Sequence, residues 1–392
     1  MSPDEARPIS TGSSELDRVL AGGLVPGSVT LVGGEPGVGK STLLLQVMRR
    51  MSEADHTCLV VSAEESAQQV RLRAERLGPL PDRLQIIAGS SLVGLDRAVA
   101  TLSPSLVVVD SIQAVQDPAT GGHPGTLAQV RTCSDLLVRL AKASGSAFVL
   151  VGHVTKEGSL AGPRVLEHLV DTVLSVEGDR HHALRLVRST KHRFGPTGEV
   201  GMFEMGPEGL RDVADPYLHL LGDRQDGIPG SSLFPGYEGQ RPLLAEIQVL
   251  VASASGPQPR RLAQGVDGGR LGMLLAVLET RAGITAGQRD VFASAVGGIR
   301  ISEPGADLPV ALALASALSG KPIAADTVAF GEVGLAGEIR NVPHGLGRLN
   351  ESRRLGFRQA IVPAGVDTGP AGLRLLRVGT LSHAVATALA CG

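Results

Sequence analysis

A glycine-rich segment near the start of the chain carries the residue types that bind a nucleoside triphosphate. It matches the pattern G-x-x-x-x-G-K-[ST] of a phosphate-binding loop, in which backbone N–H groups surround the phosphates, the lysine neutralises their charge and the hydroxyl binds Mg²⁺. We therefore predict that ATP and Mg²⁺ bind here, although a glycine-rich turn that binds nothing is the alternative. The predicted nucleotide-binding residues of the loop are Gly34, Glu35, Pro36, Gly37, Val38, Gly39, Lys40, Ser41 and Thr42, with Lys40 also catalytic and Ser41 also a metal ligand.

Carboxylates follow two apolar runs that have the length of buried strands. Asp110 ends the run that begins at residue 106, where a carboxylate would hold Mg²⁺ or its bound water. Glu64 and Glu65 follow the run 58–62, and one of them could orient the attacking water. Alternatives stay open, since Asp110 could cap the next turn and either glutamate could be an ordinary acid in the first turn of a helix.

The elements that must position these residues alternate short apolar runs with helix-length amphipathic stretches. Such runs, bounded by Gly, Pro or Ser, are typical of buried parallel strands joined by crossover helices. The phosphate-binding loop then lies between a strand and the helix 42–50, as this motif requires. The sequence therefore predicts an α/β nucleotide-binding core. The predicted strands are 28–32, 58–62, 106–110, 147–152 and 172–176.

The second half of the chain differs from the first in its composition and in the order of its apolar runs. Turn-forming residues crowd the segment 223–240, which predicts a linker between a first domain, 1–222, and a second domain, 241–392. The second domain is predicted to be α+β, because its strand-like and helix-like runs do not alternate regularly. Its predicted elements are the strands 243–252 and 293–301 and the buried helix 308–318.

Composition excludes several classes of protein. Lys plus Arg number 37 against 39 Asp plus Glu, a net charge of -2, so no global basic field would hold the chain on DNA or on an anionic membrane. Aromatic residues are only 2% and Trp is absent, which disfavours a base-stacking platform for single strands. Any nucleic-acid contact must therefore depend on local charge and on the backbone.

Cysteine use and the apolar runs indicate a cytoplasmic protein. Three widely spaced cysteines, Cys58, Cys133 and Cys391, form neither a disulfide framework nor a C-x-x-C zinc pair, so zinc is not expected. The first residues are polar and lack a signal core, and the longest apolar run is too short to span a bilayer. We expect no secretion and no membrane partner.

Six stretches of the sequence form a further pattern: 11–27, 34–41, 62–66, 109–113, 152–158 and 191–195. Taken together, they resemble the bacterial RadA family, also called Sms, and the resemblance covers nearly the whole chain. That resemblance implies a RecA-like P-loop core with a mainly parallel sheet, followed by an α+β Lon-protease-like domain. It further implies a DNA-dependent ATPase that forms a homo-oligomeric ring, with a hexamer expected, and promotes branch migration of RecA-mediated strand exchange. Its implied partners are single-stranded and branched DNA and a RecA-type recombinase.

The resemblance also assigns roles to residues. It gives Glu64, rather than Glu65, the place of the catalytic carboxylate, and it gives His153 the place of a sensor of the γ-phosphate. Without the family, His153 is equally well a hydrogen-bonded histidine at a strand end. The resemblance further implies that the loops 117–125 and 156–164 face the ring channel and contact DNA phosphates.

The stretch 191–195 reads Lys-His-Arg-Phe-Gly and resembles the family signature Lys-Asn-Arg-Phe-Gly, with His192 in place of Asn. A guanidinium that reaches a neighbouring subunit's γ-phosphate would stabilise charge in the transition state, so Lys191 and Arg193 are predicted to be catalytic. A solvated basic face is the alternative, because arginines also stand at positions 180, 185 and 188.

Two departures from the family pattern bear on function. The chain begins where the family's four-cysteine zinc module would end, so we expect that module to be lacking. In the second domain, Gly305 stands where Lon-type proteases have their serine and Leu346 where they have their lysine, so peptide cleavage is not expected. An ATP-dependent protease and a KaiC-like signalling ATPase remain the alternative functions.

Overall fold

The structure is a computed structural model of the chain. It describes residues 7–152, 165–178, 183–213, 224–254, 256, 258–296 and 300–390. The chain divides into two compact units, residues 1–214 and 215–392, and each is described by itself. We predicted the first domain to end at residue 222, and residues 214–223 lie outside the described part of the chain.

The first unit is built on a nine-stranded sheet with the order β3-β2-β4-β5-β1-β6-β7-β8-β9. The first six strands in that order pair in parallel, and the last three continue the sheet in antiparallel pairs. All five predicted strands of the core are present, within two residues at each end. The strands are β1 Val29–Gly34, β2 Cys58–Ser62, β3 Leu84–Ala88, β4 Leu106–Asp110, β5 Ala147–Val151, β6 Thr172–Glu177, β7 Leu184–His192, β8 Val200–Gly206 and β9 Gly209–Asp212.

Helices cover both faces of this sheet. One apolar cluster joins α1, α2 and α3 to one face, and a second joins α4, α5 and α6 to the other. The central strands are apolar throughout because both of their faces are buried, as in other parallel sheets with crossover helices. The helices are α1 Ser14–Val19, α2 Lys40–Glu53, α3 Ala67–Glu75, α4 Leu95–Leu102, α5 Leu127–Ser144 and α6 Val165–Leu169.

The parallel strands end at one edge of the sheet, and this places the predicted chemistry there. β1 ends at Gly34, directly before the phosphate-binding loop. The neighbouring strands β2 and β4 end together, with Ser62 opposite Asp110. The predicted RecA-like α/β core is therefore confirmed, and ligands in such sheets bind at this carboxyl edge.

The second unit has a seven-stranded mixed sheet in the order β12-β13-β11-β10-β14-β17-β18 and a two-stranded ribbon, β15-β16. This confirms the predicted α+β class. Helix α8 is buried along ten consecutive residues and packs on β10, β11 and α7. The elements are β10 Ser231–Glu238, β11 Arg241–Ser253, β12 Arg261–Gln264, α7 Gly268–Ala282, β13 Arg289–Ala295, α8 Asp307–Ser319, β14 Thr327–Ala329, β15 Glu332–Val333, β16 Ile339–Arg340, α9 Gly345–Arg354, β17 Gln359–Pro363, β18 Arg374–Val378 and α10 Leu381–Ala390.

The predicted linker 223–240 is wrong over its second half, because Ser231–Glu238 is strand β10 in the middle of the sheet. Its proline and glycine suggested a turn. Pro235 is tolerated because β10 pairs with β14 only at Leu233, so the missing N–H at residue 235 faces no acceptor on that side.

In the part of the chain that the structure describes, no helix combines the length and the apolar composition needed to cross a bilayer.

Candidate active site

The phosphate-binding loop connects β1 to α2, and its glycines have backbone conformations that other residues rarely adopt. Gly37 has φ +81° and Gly39 has φ +113°. A Cβ atom on Gly39 would lie 2.6 Å from Cε of Met205, the flexible end of a side chain that can move aside, so it is the backbone conformation that requires glycine there. The backbone of the loop can therefore approach a ligand closely.

Lys40 begins α2 and is almost completely buried. Its Nζ donates to the carbonyl oxygens of Gly34 at 2.7 Å and Glu35 at 3.0 Å, so the ammonium group lies inside the loop. Burial lowers the pKa of Lys40, and the opposing attraction of Asp110 and Glu64 partly compensates for this effect. A buried cation held inside a ring of backbone groups is suited to binding phosphate oxygens.

Asp110 and Glu64 lie on the same edge as the loop. Ala63 N–H donates to the carbonyl oxygen of Asp110 at 2.9 Å, which ties the segment after β2 to the end of β4. Across the Asp110–Ser111 peptide, which is cis, Ser111 Oγ donates to Glu64 Oε1 at 2.5 Å. The structure thus brings together Lys40, Glu64 and Asp110, three of the residues that the sequence predicted to be catalytic.

The residues present fit Mg²⁺. Mg²⁺ prefers oxygen ligands and usually takes one or two from the protein, with water and phosphate supplying the rest. Ser41 follows Lys40 in the first turn of α2, and Asp110 acts electrostatically on that same lysine. A hydroxyl and a carboxylate on the phosphate-binding edge are therefore the donor set that this ion requires.

Two arginines of this site were not assigned to it from the sequence. Arg73 of α3 binds Glu65 through both terminal nitrogens, at 3.1 Å and 3.0 Å, and its Nη2 lies 4.0 Å from Asp110 Oδ2. Arg185 of β7 is buried, and its Nε donates to the carbonyl oxygen of Val38 in the phosphate-binding loop at 3.1 Å. The sequence feature that could have assigned Arg73 to the site is its position between Val70 and Ala74, the buried residues on the inner face of α3.

The structure divides the basic cluster of β7 between two edges of the sheet. Arg185 lies at the phosphate-binding edge and Arg188 pairs with Glu177, so neither belongs to an open basic face. β7 runs antiparallel to β6, with His192 opposite Thr172, whereas the end of β1 is opposite Val176. The end of β7 is therefore roughly 13 Å or more along the strands from its own phosphate-binding loop, at about 3.3 Å per residue.

At that opposite edge, Lys191 and Arg193 bind α6 and the residues between α6 and β6. Lys191 Nζ donates to the carbonyl oxygens of Glu167 and Val170, and Arg193 Nη1 donates to Asp171 Oδ1 at 3.0 Å. Burial lowers the pKa of Lys191, and the neighbouring charge of Arg193 adds to the effect. Within one subunit, neither side chain is brought to the nucleotide site.

Of the two loops predicted to contact DNA, the structure describes only the loop 117–125. His153 and the loop 156–164 lie outside the described residues, as does Arg180. The base of the loop 117–125 is fixed by the buried Gln129, whose amide donates to the carbonyl oxygens of Asp117 and Gly121. This loop has no lysine or arginine, so His123 and backbone N–H groups are its candidate phosphate contacts.

In the second unit, a buried arginine and a part-exposed glutamate form an ion pair, two residues along the chain from Leu346 and Gly305 respectively. Arg348 is 1% exposed and pairs with Glu303 through Nη2, while its Nη1 donates to the Pro235 carbonyl oxygen at 2.8 Å. Three aromatic rings, Phe234, Tyr237 and Phe330, surround its guanidinium at 5.2 to 5.7 Å. Gly305 lies in the turn before α8, and Leu346 is exposed on α9.

Comparisons with known proteins identify relatives of this chain. A family model described as "AAA domain" matches residues 3–159, and one described as "Subunit ChlI of Mg-chelatase" matches residues 295–365. The DNA repair protein RadA of Brucella abortus is 47% identical and is matched over 99% of this chain and 85% of its own. The RadA proteins of Pseudomonas aeruginosa (46% identical, 98% and 85%) and Bacillus subtilis (44%, 97% and 84%) are similarly related.

A solved structure is also similar to part of the chain. The crystal structure of the RadB recombinase covers 52% of this chain and 99% of its own chain, at 26% identity and with a TM-score of 0.41.

Proposed function

The chain belongs to the RadA family of bacterial DNA repair proteins, and from that premise we propose that it is a DNA-stimulated ATPase that works as a homohexameric ring in the cytoplasm. In this proposal the ring promotes branch migration of recombination intermediates that a RecA-type recombinase produces. The observation that carries it is the phosphate-binding loop with Lys40, Glu64 and Asp110 at one edge of the sheet.

The residues of the site divide the work of phosphoryl transfer. Lys40 and the loop N–H groups bind the phosphates, while Glu64, held by Ser111, orients the attacking water. Bound Mg²⁺ would neutralise charge on the phosphate oxygens, with Ser41 and Asp110 as its protein ligands. His153 is the proposed residue that responds to the γ-phosphate.

The placement of Lys191 and Arg193 supports a site that two subunits share. Both lie at the sheet edge opposite their own phosphate-binding loop, so they can reach a triphosphate only on another subunit. An arginine donated by a neighbour stabilises the charge of the transition state and couples hydrolysis to assembly. This arrangement favours a ring, because head-to-tail contacts close when the rotation permits.

Contact with DNA is proposed for the channel loops 117–125 and 156–164. The net charge of -2 gives the chain no global attraction for DNA, so binding would depend on a few local phosphate contacts and would weaken as the salt concentration rises. Single-stranded and branched DNA are the proposed substrates.

Peptide cleavage does not form part of the proposal. Covalent hydrolysis of this type needs a hydroxyl and a nearby lysine, and Lys321 is the only lysine in the sequence beyond residue 191. Lys321 follows the carboxyl end of α8, whereas Gly305 precedes its amino end, so about 20 Å of helix separates them at about 1.5 Å per residue.

Steady-state ATP hydrolysis with and without single-stranded DNA tests the proposal. We expect DNA to stimulate the wild type, Lys40→Ala to abolish turnover, and Glu64→Gln to lower kcat by about 10²- to 10⁴-fold while ATP still binds. A branched-DNA substrate with a RecA-type recombinase then tests branch migration. If DNA does not change the hydrolysis rate and Lys40→Ala does not lower it, the proposal is refuted. If DNA does not change the rate but Lys40→Ala abolishes hydrolysis, a signalling ATPase is favoured.

A further inference from the structure

The two adjacent glutamates after β2 have different partners. Glu64 Oε1 accepts a hydrogen bond from Ser111 Oγ at 2.5 Å. Glu65 forms a two-pronged ion pair with Arg73, with nitrogen–oxygen distances of 3.1 Å and 3.0 Å. Adjacent carboxylates of the same chemistry are therefore held in different directions, one by a neutral donor directly after β4 and the other by a cation on α3.

Arg73 is fixed in its position by the helix that carries it. Helix α3 begins with a capping box directly after Glu65, because Ser66 and Gln69 exchange backbone and side-chain hydrogen bonds. Val70 and Ala74 bury the same face of the helix from which Arg73 extends. Within the described residues, the buried Nε atom of Arg73 has no hydrogen-bond partner, a cost that the ion pair with Glu65 must offset.

Arg73 also lies beside the predicted metal ligand. Its Nη2 atom is 4.0 Å from Asp110 Oδ2, and Lys40 interacts with both Asp110 and Glu64. Around Asp110, the site therefore combines the carboxylates of Glu64, Glu65 and Asp110 with two cations, Lys40 and Arg73. A bound Mg²⁺ must compete with Arg73 for the charge of Asp110, and removing Arg73 leaves that negative charge in excess.

We infer that Arg73 is a positioning residue of the ATPase site, which keeps Glu65 away from the attacking water and sets the strength with which Asp110 attracts Mg²⁺. This inference rests on the proposed ATP hydrolysis. It differs from a purely structural role because it predicts opposite changes in the requirement for Mg²⁺ when the two partners of one ion pair are neutralised.

Three variants test it: Arg73→Gln, Glu65→Gln and the double variant. Arg73→Gln should lower kcat by roughly tenfold or more with little change in KM for ATP, because a displaced catalytic group costs turnover rather than binding. It should also lower the Mg²⁺ concentration needed for half-maximal rate and, as a readout that needs no turnover, for half-maximal binding of a non-hydrolysable ATP analogue. Glu65→Gln should raise that concentration, since Arg73 can then turn to Asp110. The double variant should recover most of the kcat lost in Arg73→Gln.

The matched control is Arg71→Gln on the same helix. Arg71 pairs with Glu75 on the exposed side of α3, so it should leave kcat and the requirement for Mg²⁺ unchanged. Thermal melts identify any variant that fails to fold, and Arg73→Lys, which keeps the charge but loses the two-pronged contact, then replaces Arg73→Gln and should give an intermediate kcat.

Wild-type kcat and an unchanged requirement for Mg²⁺ in Arg73→Gln would overturn the inference, as would shifts of the same sign in both single variants. If Lys40→Ala abolishes hydrolysis in the same series, such a result leaves the proposed ATPase intact. Hydrolysis that persists in Lys40→Ala would instead remove the proposed function.

Discussion

The side chains at the phosphate-binding edge owe their roles to what they contact. Lys40 Nζ donates to loop carbonyl oxygens, and Glu64 accepts a hydrogen bond from the buried Ser111, which directly follows the neighbouring strand β4. Glu65 differs from Glu64 by one position in the chain, yet it pairs with Arg73. Glu64 as the catalytic carboxylate, which the family resemblance implied, stays a proposal, and the engagement of Glu65 by Arg73 favours Glu64 over its neighbour.

His192 is the residue at which this chain departs from the signature Lys-Asn-Arg-Phe-Gly. Its Nδ1 is hydrogen-bonded with Thr172 Oγ1 at 2.9 Å, at the edge opposite the phosphate-binding loop. Burial lowers the pKa of His192 from its ordinary value of 6.5, an effect that outweighs the opposing pull of the Leu20 carbonyl oxygen. An asparagine could make the same contact without titrating.

A pH-dependent stability follows from this histidine. Because its folded-state pKa is lower, the unfolded chain binds the proton more readily, so stability falls as the pH drops through 6.5 and continues to fall until the folded-state pKa is passed. We predict that His192→Asn has a smaller fall in melting temperature between pH 7.5 and pH 5.5, two values about one unit either side of 6.5. Equal falls in both proteins would contradict this assignment.

Among the elements, β7 connects the two edges of the core. Arg185 near its start supports the strand's own phosphate-binding loop, and Lys191 and Arg193 at its end lie at the other edge. In a ring, one strand would then contact a nucleotide at each end. Sequence alone could not show this division, because five basic residues close together in the chain look like one cluster until strand register separates them.

In the second unit, the Glu303–Arg348 pair joins the turn before α8 to α9. Arg348 is 1% exposed, so removal of Glu303 leaves a buried cation without its counter-charge. We predict that Glu303→Ala destabilises this unit by about 3 kcal/mol. Glu351→Ala, which removes the partner of the exposed Arg354, should cost less than about 1 kcal/mol. Urea unfolding measures both, and equal losses would show that the buried pair contributes no more than the exposed one.

Over the whole molecule, the sequence predicted those features that depend on short-range patterns of residues. Local apolar runs predict the strands, and the spacing of glycines and lysine predicts the phosphate-binding loop. The predicted catalytic residues of the loop, β2 and β4 lie at one edge because parallel strands end together. Contacts between residues far apart in the chain, such as Arg185 with the carbonyl of Val38, carry no local signal. The sequence did not predict the strand 231–238, because whether a strand accepts a proline depends on which strand pairs with it. That pairing cannot be seen in the sequence.

The proposed ring requires a nucleotide site that two subunits share. Lys40 and Arg193 would act on the same triphosphate from different subunits, because Arg193 cannot reach its own loop. Two variants, each defective in one contribution, should therefore complement each other inside a mixed ring. Arg193 is 54% exposed, so Arg193→Ala should fold and bind ATP normally.

The most direct measurement is ATP hydrolysis by Lys40→Ala and Arg193→Ala, alone and after dissociated subunits are mixed in equal amounts and reassembled on DNA. Each variant alone should be nearly inactive. In random rings about a quarter of the interfaces combine an intact loop with an intact arginine, so the mixture should recover up to roughly a quarter of the wild-type rate. A mixture no more active than its components, in rings shown to contain both variants, would contradict the shared site.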